Sequence, residues 1–522
     1  MGQLSAGIGL LLSSVPRLPT RVPVWLLIVP CGIAGVLTVA VGSPHLPLQA
    51  LAMVASGASM VLVAHHPAWV VVPPLIVEFA LGGYEVPGLG TSIRVLVTMA
   101  SAAVALALLA RSRSLPSWNT AALWVAIPSV AFIGLSTVIN LLFSELDYVA
   151  KYLRYQMGLG ITLALVMLFV RDRRAIGVLA TGALGLAVVS SILAVGQRIG
   201  GPLAVYSISD VLTITSFGTR AFGLSGSPVG LANTLTSVVV PLLGVLVVTW
   251  SKKTWTRLPL LLATLLVLVG VYLSTTRSAI LAVMAGTVVI MAAVDAPRRF
   301  ALAGIGVVGA LLLVAAVVSG GIDNRFLEGA AEDDSAAGHV AIGQVALAVA
   351  LDHPVLGIGR EHFGRVSLAY ASAVSLGGGA QLSGQATVGT IEPHNDFLTV
   401  WCSWGIFGLL TYLALLFGTV RNYLVARRSE DPFVRGLAIG CLAGAIAYVV
   451  NSSLHNSLDA SVILWYYAGL SATLASVPER AVARVAALRR RPLRAGRPGD
   501  PRARPRRQLD GGAECIPSPT LP

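Results

Sequence analysis

The chain has 522 residues, a net charge of +13 and only 11% charged residues against 56% hydrophobic ones, with a mean hydropathy of +0.82. A soluble domain carries about a quarter charged residues, and no soluble core could hide this much apolar surface. Composition therefore excludes a soluble protein and implies an all-α integral membrane protein, because lipid obliges each span to satisfy its own backbone polar groups.

In chain order, apolar runs predict spans at 24–42, 48–64, 67–82, 94–110, 120–143, 157–170, 175–196, 229–250, 258–274, 278–294, 300–319, 397–419, 433–452 and 459–477. Most match the length a helix needs to cross a bilayer. The third is broken by proline and the sixth is short, so the expectation is a polytopic bundle of about 12–14 transmembrane helices. The first run is too long for a signal-peptide core and lacks a convincing cleavage site, so it reads as a span. The organisation expected is a cytoplasmic N-terminus (1–23), N-terminal helices (24–197), a second membrane region (198–477) and a basic tail (478–522). A long hydrophilic loop at 320–395 interrupts the second region.

Basic residues orient the bundle. With the N-terminus inside, 27 of the 36 Lys and Arg residues are cytoplasmic and nine lie outside, as the positive-inside rule requires. Eleven of the inside residues follow Val477 in a Pro- and Arg-rich tail. That composition predicts disorder, and its charge suits either an anionic lipid leaflet or a partner protein. It gives no support to nucleic-acid binding. Cys31, Cys402, Cys441 and Cys515 show no paired spacing, so neither a disulfide framework nor a metal site is implied.

The outside cations run against the general bias and call for an anionic partner there. Three outside connections hold four of the nine close to the membrane face: SELDYVAKYLRYQM (Ser144 to Met157), TRAFGLSGSPVGLANT (Thr219 to Thr234) and STTRSA (Ser274 to Ala279). Arg277 has apolar helix on both sides and almost no loop. It is either a helix-end arginine reaching for water or a guanidinium facing a wet, anion-binding site. Arg220 precedes a Gly/Ser/Pro turn and Asn233 at the mouth of a span, where a helix N-terminus favours an anion; the plainer reading is an ordinary loop arginine. Lys151 and Arg154 share a helix face, and Glu145 and Asp147 could neutralise them.

The long loop opens with acids (Glu328, Glu332, Asp333, Asp334) and then predicts a helix from His339 to Leu351. The DHPVLGIG turn and a Gly/Ser-rich tract (Ser375 to Gly389) follow, the tract reading equally as a lid or as a tolerated insertion. At the end of the loop stands EPHNDF (Glu392 to Phe397). His394 has the chemistry of a general base for a sugar hydroxyl, with Glu392 or Asp396 available to orient its ring. Asn395 and Asp396 are also good helix N-caps, which would make the histidine a capping neighbour. His353, His362 and His455 read as structural.

Four stretches, RAFGLSGSPVGLAN, STTRSA, LDHPVLGIGREHFG and PHNDFLTVWCSWGIFGLLTYL, resemble motifs of the O-antigen ligase and polymerase family of membrane glycosyltransferases. The resemblance covers roughly Thr219 to Leu413. It implies a GT-C-like fold and transfer of a glycan from undecaprenyl diphosphate to an acceptor hydroxyl, with inversion and without a metal or other cofactor. It places Arg277 and Arg220 on the diphosphate and His394 as the base. Relatives often carry arginine where this chain has His339, so no arginine role transfers to that position. Implied partners are the lipid-linked donor, a glycan, lipid or protein acceptor, and the surrounding lipids; the implied location is the cell membrane, with the site extracytoplasmic. Polymerase and ligase differ only in the acceptor and are not separated by these motifs. Two other readings stand beside this one. A flippase for lipid-linked saccharide needs ionisable residues inside spans, of which Glu78 is the clearest. A metal-dependent GT-C enzyme needs an acidic pair in the first external loop, which Ser43 to Pro47 lacks.

Overall fold

A computed structural model describes residues 55–63, 65–80, 85–86, 91–112, 119–199, 220–225, 227–250, 257–295, 297–299, 306, 334–373, 392–455, 458 and 462–490. The expected span 24–42, almost all of 300–319, the acids Glu328, Glu332 and Asp333, the Gly/Ser-rich tract, Cys31, Cys515 and the tail beyond Arg490 lie outside these residues. The chain divides into two compact units, 1–477 and 478–522.

The architecture is helical, as composition requires. The expected third span becomes a 3-10 turn, Pro67–Val71, running into α1 (Val72–Ala80). A two-residue hairpin pairs Glu85–Val86 with Thr91–Ser92. There follow α2 (Ile93–Ser112), α3 (Thr120–Phe143), α4 (Leu146–Phe169) and α5 (Arg173–Ile199). Next come α6 (Pro228–Val248), α7 (Leu258–Leu273), α8 (Arg277–Ala293), α9 (Asp334–Asp352) and α10 (Phe363–Ala373). Last are α11 (Asp396–Ala426), α12 (Pro432–Ser452) and α13 (Ile463–Arg490). Among the described residues seven helices are long and apolar enough to cross a membrane, namely α2 to α6, α11 and α12. At 1.5 Å per residue, the 24 residues of α3 make about 36 Å, enough for a hydrocarbon core of about 30 Å.

Two boundaries differ from expectation. The stretch Ser144 to Met157 is not a loop: only Ser144 and Glu145 separate α3 from α4, so Lys151 and Arg154 ride on a helix. A polar, amphipathic helical start is invisible to a hydropathy window, which registers only the apolar half. The last helix runs on to Arg490, past the point where apolar sequence ends.

The centre of the bundle is α6, whose apolar window is 89% buried. Ser227 caps it by accepting from Gly230 N, and Pro228 starts it. It lies so close to α12 that a Cβ on Gly244 would collide with the backbone of Gly440. Small residues at that seam let two helices meet without a hydrophobic driving force. Helices α8, α7 and α11 pack around this pair, while α3 packs on α11, placing Phe132 edge-on to Trp404 at 5.3 Å.

One break in a helix shapes the end of the bundle that carries the loop. Gly405 sits inside α11 at φ 65°, ψ −167°, a conformation that is essentially glycine-only. The kink frees the Cys402 and Ser403 carbonyls, which accept from Ile358 N and Gly359 N, both at 2.9 Å. Ile406 N in turn donates to Pro354 O at 2.8 Å. The DHPVLGIG turn and the CSWGIFG helix segment thus complete each other's backbone bonding. A Cβ at Gly405 would strike the Val355 carbonyl. Gly405→Ala is expected to cost about 2 kcal/mol or more and to lower the unfolding midpoint in detergent; an unchanged midpoint would contradict the interlock.

Candidate functional site

Arg220 and Arg277 meet at one turn. Gln197, near the end of α5, accepts from Phe222 N at 3.1 Å and Gly223 N at 2.9 Å, and donates to Gly223 O at 3.2 Å. Leu224 N donates to the Ser190 hydroxyl at 3.1 Å. These bonds fix the RAFGLS stretch, and Ala221 N joins it to Leu273 O at 3.0 Å. The Arg220 side chain then reaches across: Nε donates to Ser274 O at 3.1 Å and Nη2 to Thr276 Oγ1 at 3.2 Å. Ser274 ends α7, so the guanidinium caps carbonyls that the helix leaves open, where a cation is favoured.

Three residues later Arg277 begins α8. Thr276 occupies the N-cap position, yet its hydroxyl makes no capping bond; it bonds toward Pro228 O at 3.4 Å instead. The first amide groups of α8 therefore keep their attraction for an anion. Thr275 has φ 50°. The Thr275 and Ser278 hydroxyls are buried without a hydrogen-bond partner, which native proteins seldom tolerate without a ligand or water.

A run of bonds continues from this turn. Pro228 opens α6, and one turn further Asn233 accepts from Asn451 Nδ2 of α12. Asn233 was expected beside the anion; its amide oxygen instead ties α6 to α12. With Thr236, Tyr448 and Tyr467 it lines a cavity of about 20 Å³, room for about one water. Just past Asn451, Ser453 O accepts from Asn395 Nδ2 at 2.9 Å, while Asn395 Oδ1 caps α11 by accepting from Leu398 N at 3.0 Å. Arg220, Arg277, Asn233, Asn395 and His394 are thus gathered at one end of the bundle.

His394 is half-buried with φ 50°. Left-handed backbone costs a non-glycine residue about 1–3 kcal/mol, and here the Asn395 cap and the Ser453 bond hold it. Its ring stands edge-to-face with that of His455, centroids 6.4 Å apart. The two carboxylates that flank it also make bonds of their own. Asp396 is fully buried and accepts from Tyr448 Oη at 3.2 Å and Leu458 N at 3.0 Å. Glu392 is half-exposed and pairs with Arg360 Nη2 at 2.9 Å.

Arg360 entered the sequence analysis only as part of the LDHPVLGIGREHFG stretch. The structure buries its side chain to 7% exposure. Its backbone N donates to Asn140 Oδ1 at 3.1 Å, an oxygen that Trp404 Nε1 also approaches at 3.4 Å. Its only sequence signal was its position directly after two turn glycines. Both have positive φ, and Gly357 packs against the Ser403 backbone.

Lys151 and Arg154 are exposed on the first turns of α4, with Arg154 Nε donating to Ala150 O at 3.1 Å. Glu145 pairs with Arg365 at 3.8 Å, and Arg365 with Glu361 at 3.0 Å. On the loop, the Asp352 carboxylate accepts from Tyr370 Oη at 2.9 Å, and that bond raises the phenol above its usual pKa. Glu78 pairs with Arg94 at 3.5 Å, both nearly buried, and accepts from Val462 N at 3.1 Å. Among the described residues no three His, Cys, Asp or Glu side chains cluster as metal ligands.

No curated protein matches the chain. Residues 262–413 match the family model described as O-antigen ligase. The match runs from within α7, through the Arg277 turn, the loop, His394 and the Gly405 kink, into α11; Arg220 lies before it. Over residues 262–413 the chain is similar to the O-antigen ligase family, a likeness that supports glycosyl transfer in general.

Proposed function

We propose that the protein transfers a glycan from a polyprenyl diphosphate to an acceptor hydroxyl on the extracytoplasmic face, with inversion and without a metal ion. The observation that carries this reading is the Arg220–Thr276–Arg277 turn. There, one guanidinium caps α7, a second opens α8, and two hydroxyls wait without partners. A diphosphate needs that combination of charge and donors, and guanidinium groups meet phosphate as forks.

As the acceptor oxygen attacks the anomeric carbon, the bond from that carbon to the diphosphate oxygen breaks and leaves its electron pair on the phosphate. Fixed donors stabilise that growing charge better than reorganising water. His394 takes the acceptor proton. Attack from the face opposite the leaving group inverts the anomeric centre. Polymerase and ligase share this chemistry and differ in which acceptor approaches the loop side of His394. The Glu78–Arg94 pair supports transfer over transport, since the clearest ionisable group within a span is already neutralised and bonded to Val462 N.

The test is reconstitution of the purified protein in vesicles with a polyprenyl-diphosphate glycan and a glycan acceptor. A product with inverted anomeric configuration, formed equally in chelator, is expected. Movement of the donor across the bilayer with no new glycosidic bond would replace this reading with a flippase.

A further inference from the structure

The His394 ring stands edge-to-face with a second imidazole, and the fold anchors the chain on either side of that residue. His455 lies between α12 and α13. Four bonds fasten the chain around it. Ser453 O accepts from Asn395 Nδ2 at 2.9 Å, and Leu458 N donates to the buried Asp396 carboxylate at 3.0 Å. Leu458 O accepts from Tyr155 Oη at 3.0 Å, and Val462 N donates to buried Glu78 at 3.1 Å.

Two of these anchors are carboxylates that are almost fully removed from water. Removing a carboxylate from water is costly even when it is paired, and a plain surface connection needs no such support. Asn395 and Asp396 directly follow the base in sequence, so the same two residues that set the start of α11 also set the chain on either side of His455. The two rings are therefore positioned against each other by one shared set of bonds.

We propose that His455 is the positioning partner of His394: it holds the base's ring and stabilises that ring's protonated form during transfer. When His394 takes the acceptor proton it becomes a cation. An imidazole edge-to-face at 6.4 Å offers that cation a nitrogen reached through one water. His455 forms no covalent bond in the step, and the proton stays on His394 until the site opens to solvent. This inference rests on the assignment of His394 as base.

The experiment compares His455→Phe and His455→Gln in the reconstituted protein, reading kcat and both KM values. Phenylalanine keeps the ring packing and removes both nitrogens; glutamine keeps polar atoms. For His455→Phe, which loses the water-bridged nitrogen, the expected result is a fall in kcat of about 10-fold with both KM values unchanged, and for His455→Gln a partial recovery. In a His394→Asn background, adding His455→Phe is expected to change the residual rate no further. Wild-type kcat in His455→Phe would overturn the partnership, as would equal loss of kcat and KM in both variants or a further loss in the His394→Asn background. If His394→Asn itself keeps wild-type kcat, the base assignment fails. If His394→Asn is inactive while His455→Phe is not, only the partnership fails.

Discussion

His394→Asn is expected to lower kcat by about 10² to 10⁴, the range that a general base contributes, with the protein still folded in the membrane. Asparagine is the informative replacement because position 394 has φ 50°. Asparagine tolerates left-handed backbone better than most residues, so the turn and the Asn395 cap survive while the proton acceptor is lost. Alanine would add backbone strain to the chemical loss and confuse the two. Turnover at saturating acceptor, measured beside the unfolding midpoint, separates them. Wild-type turnover in His394→Asn would end its assignment as base and leave the histidine as a capping neighbour.

Arg277→Ala is expected to lower kcat by about 10² to 10³, as removal of one fixed donor to a developing oxyanion does elsewhere. Arg277→Lys should recover only part of this, because ammonium supplies charge without a planar fork. Arg277 is a cleaner target than Arg220. The Arg220 guanidinium bonds Ser274 O and Thr276 Oγ1, so its removal uncaps α7 and loosens the turn together with any loss of anion binding. Donor KM and kcat for the three proteins, set beside their expression levels, check the assignment. Normal product from Arg277→Ala would reduce that arginine to a helix-end residue reaching for water.

Much of the bundle was legible because lipid imposes length and apolarity on its spans, and those are the two quantities a sequence displays directly. The Arg220 and Arg277 stretches drew attention as cations expected on the less basic side, and the structure brings them to one turn. Other features depend on bonds between distant segments. Asn233 looked like a helix-mouth ligand, and only the arrival of Asn451, 218 residues later, reveals it as a strut. Glu392 and Asp396 flank His394 in sequence, and nothing there reveals the bonds they make to Arg360, Tyr448 and Leu458. His455 gave no signal, because its meaning comes from the ring it faces. The start of α4 failed for a different reason, since a polar helix end has the composition of a loop.

The interlock at Gly405 also bears on how the protein is made. Ile358 and Gly359 leave the ribosome more than forty residues before the Cys402 and Ser403 carbonyls that accept from them. During synthesis, the DHPVLGIG turn thus emerges with its amide groups hydrated and its acceptors still unmade. Insertion of α11 supplies those acceptors, and the same helix starts at the residues that set His394 and fasten the chain around His455. Ordering of the loop and assembly of the histidine side of the site are therefore one late event in biogenesis, and a nascent chain halted before His394 holds the Arg277 turn but neither His394 nor His455.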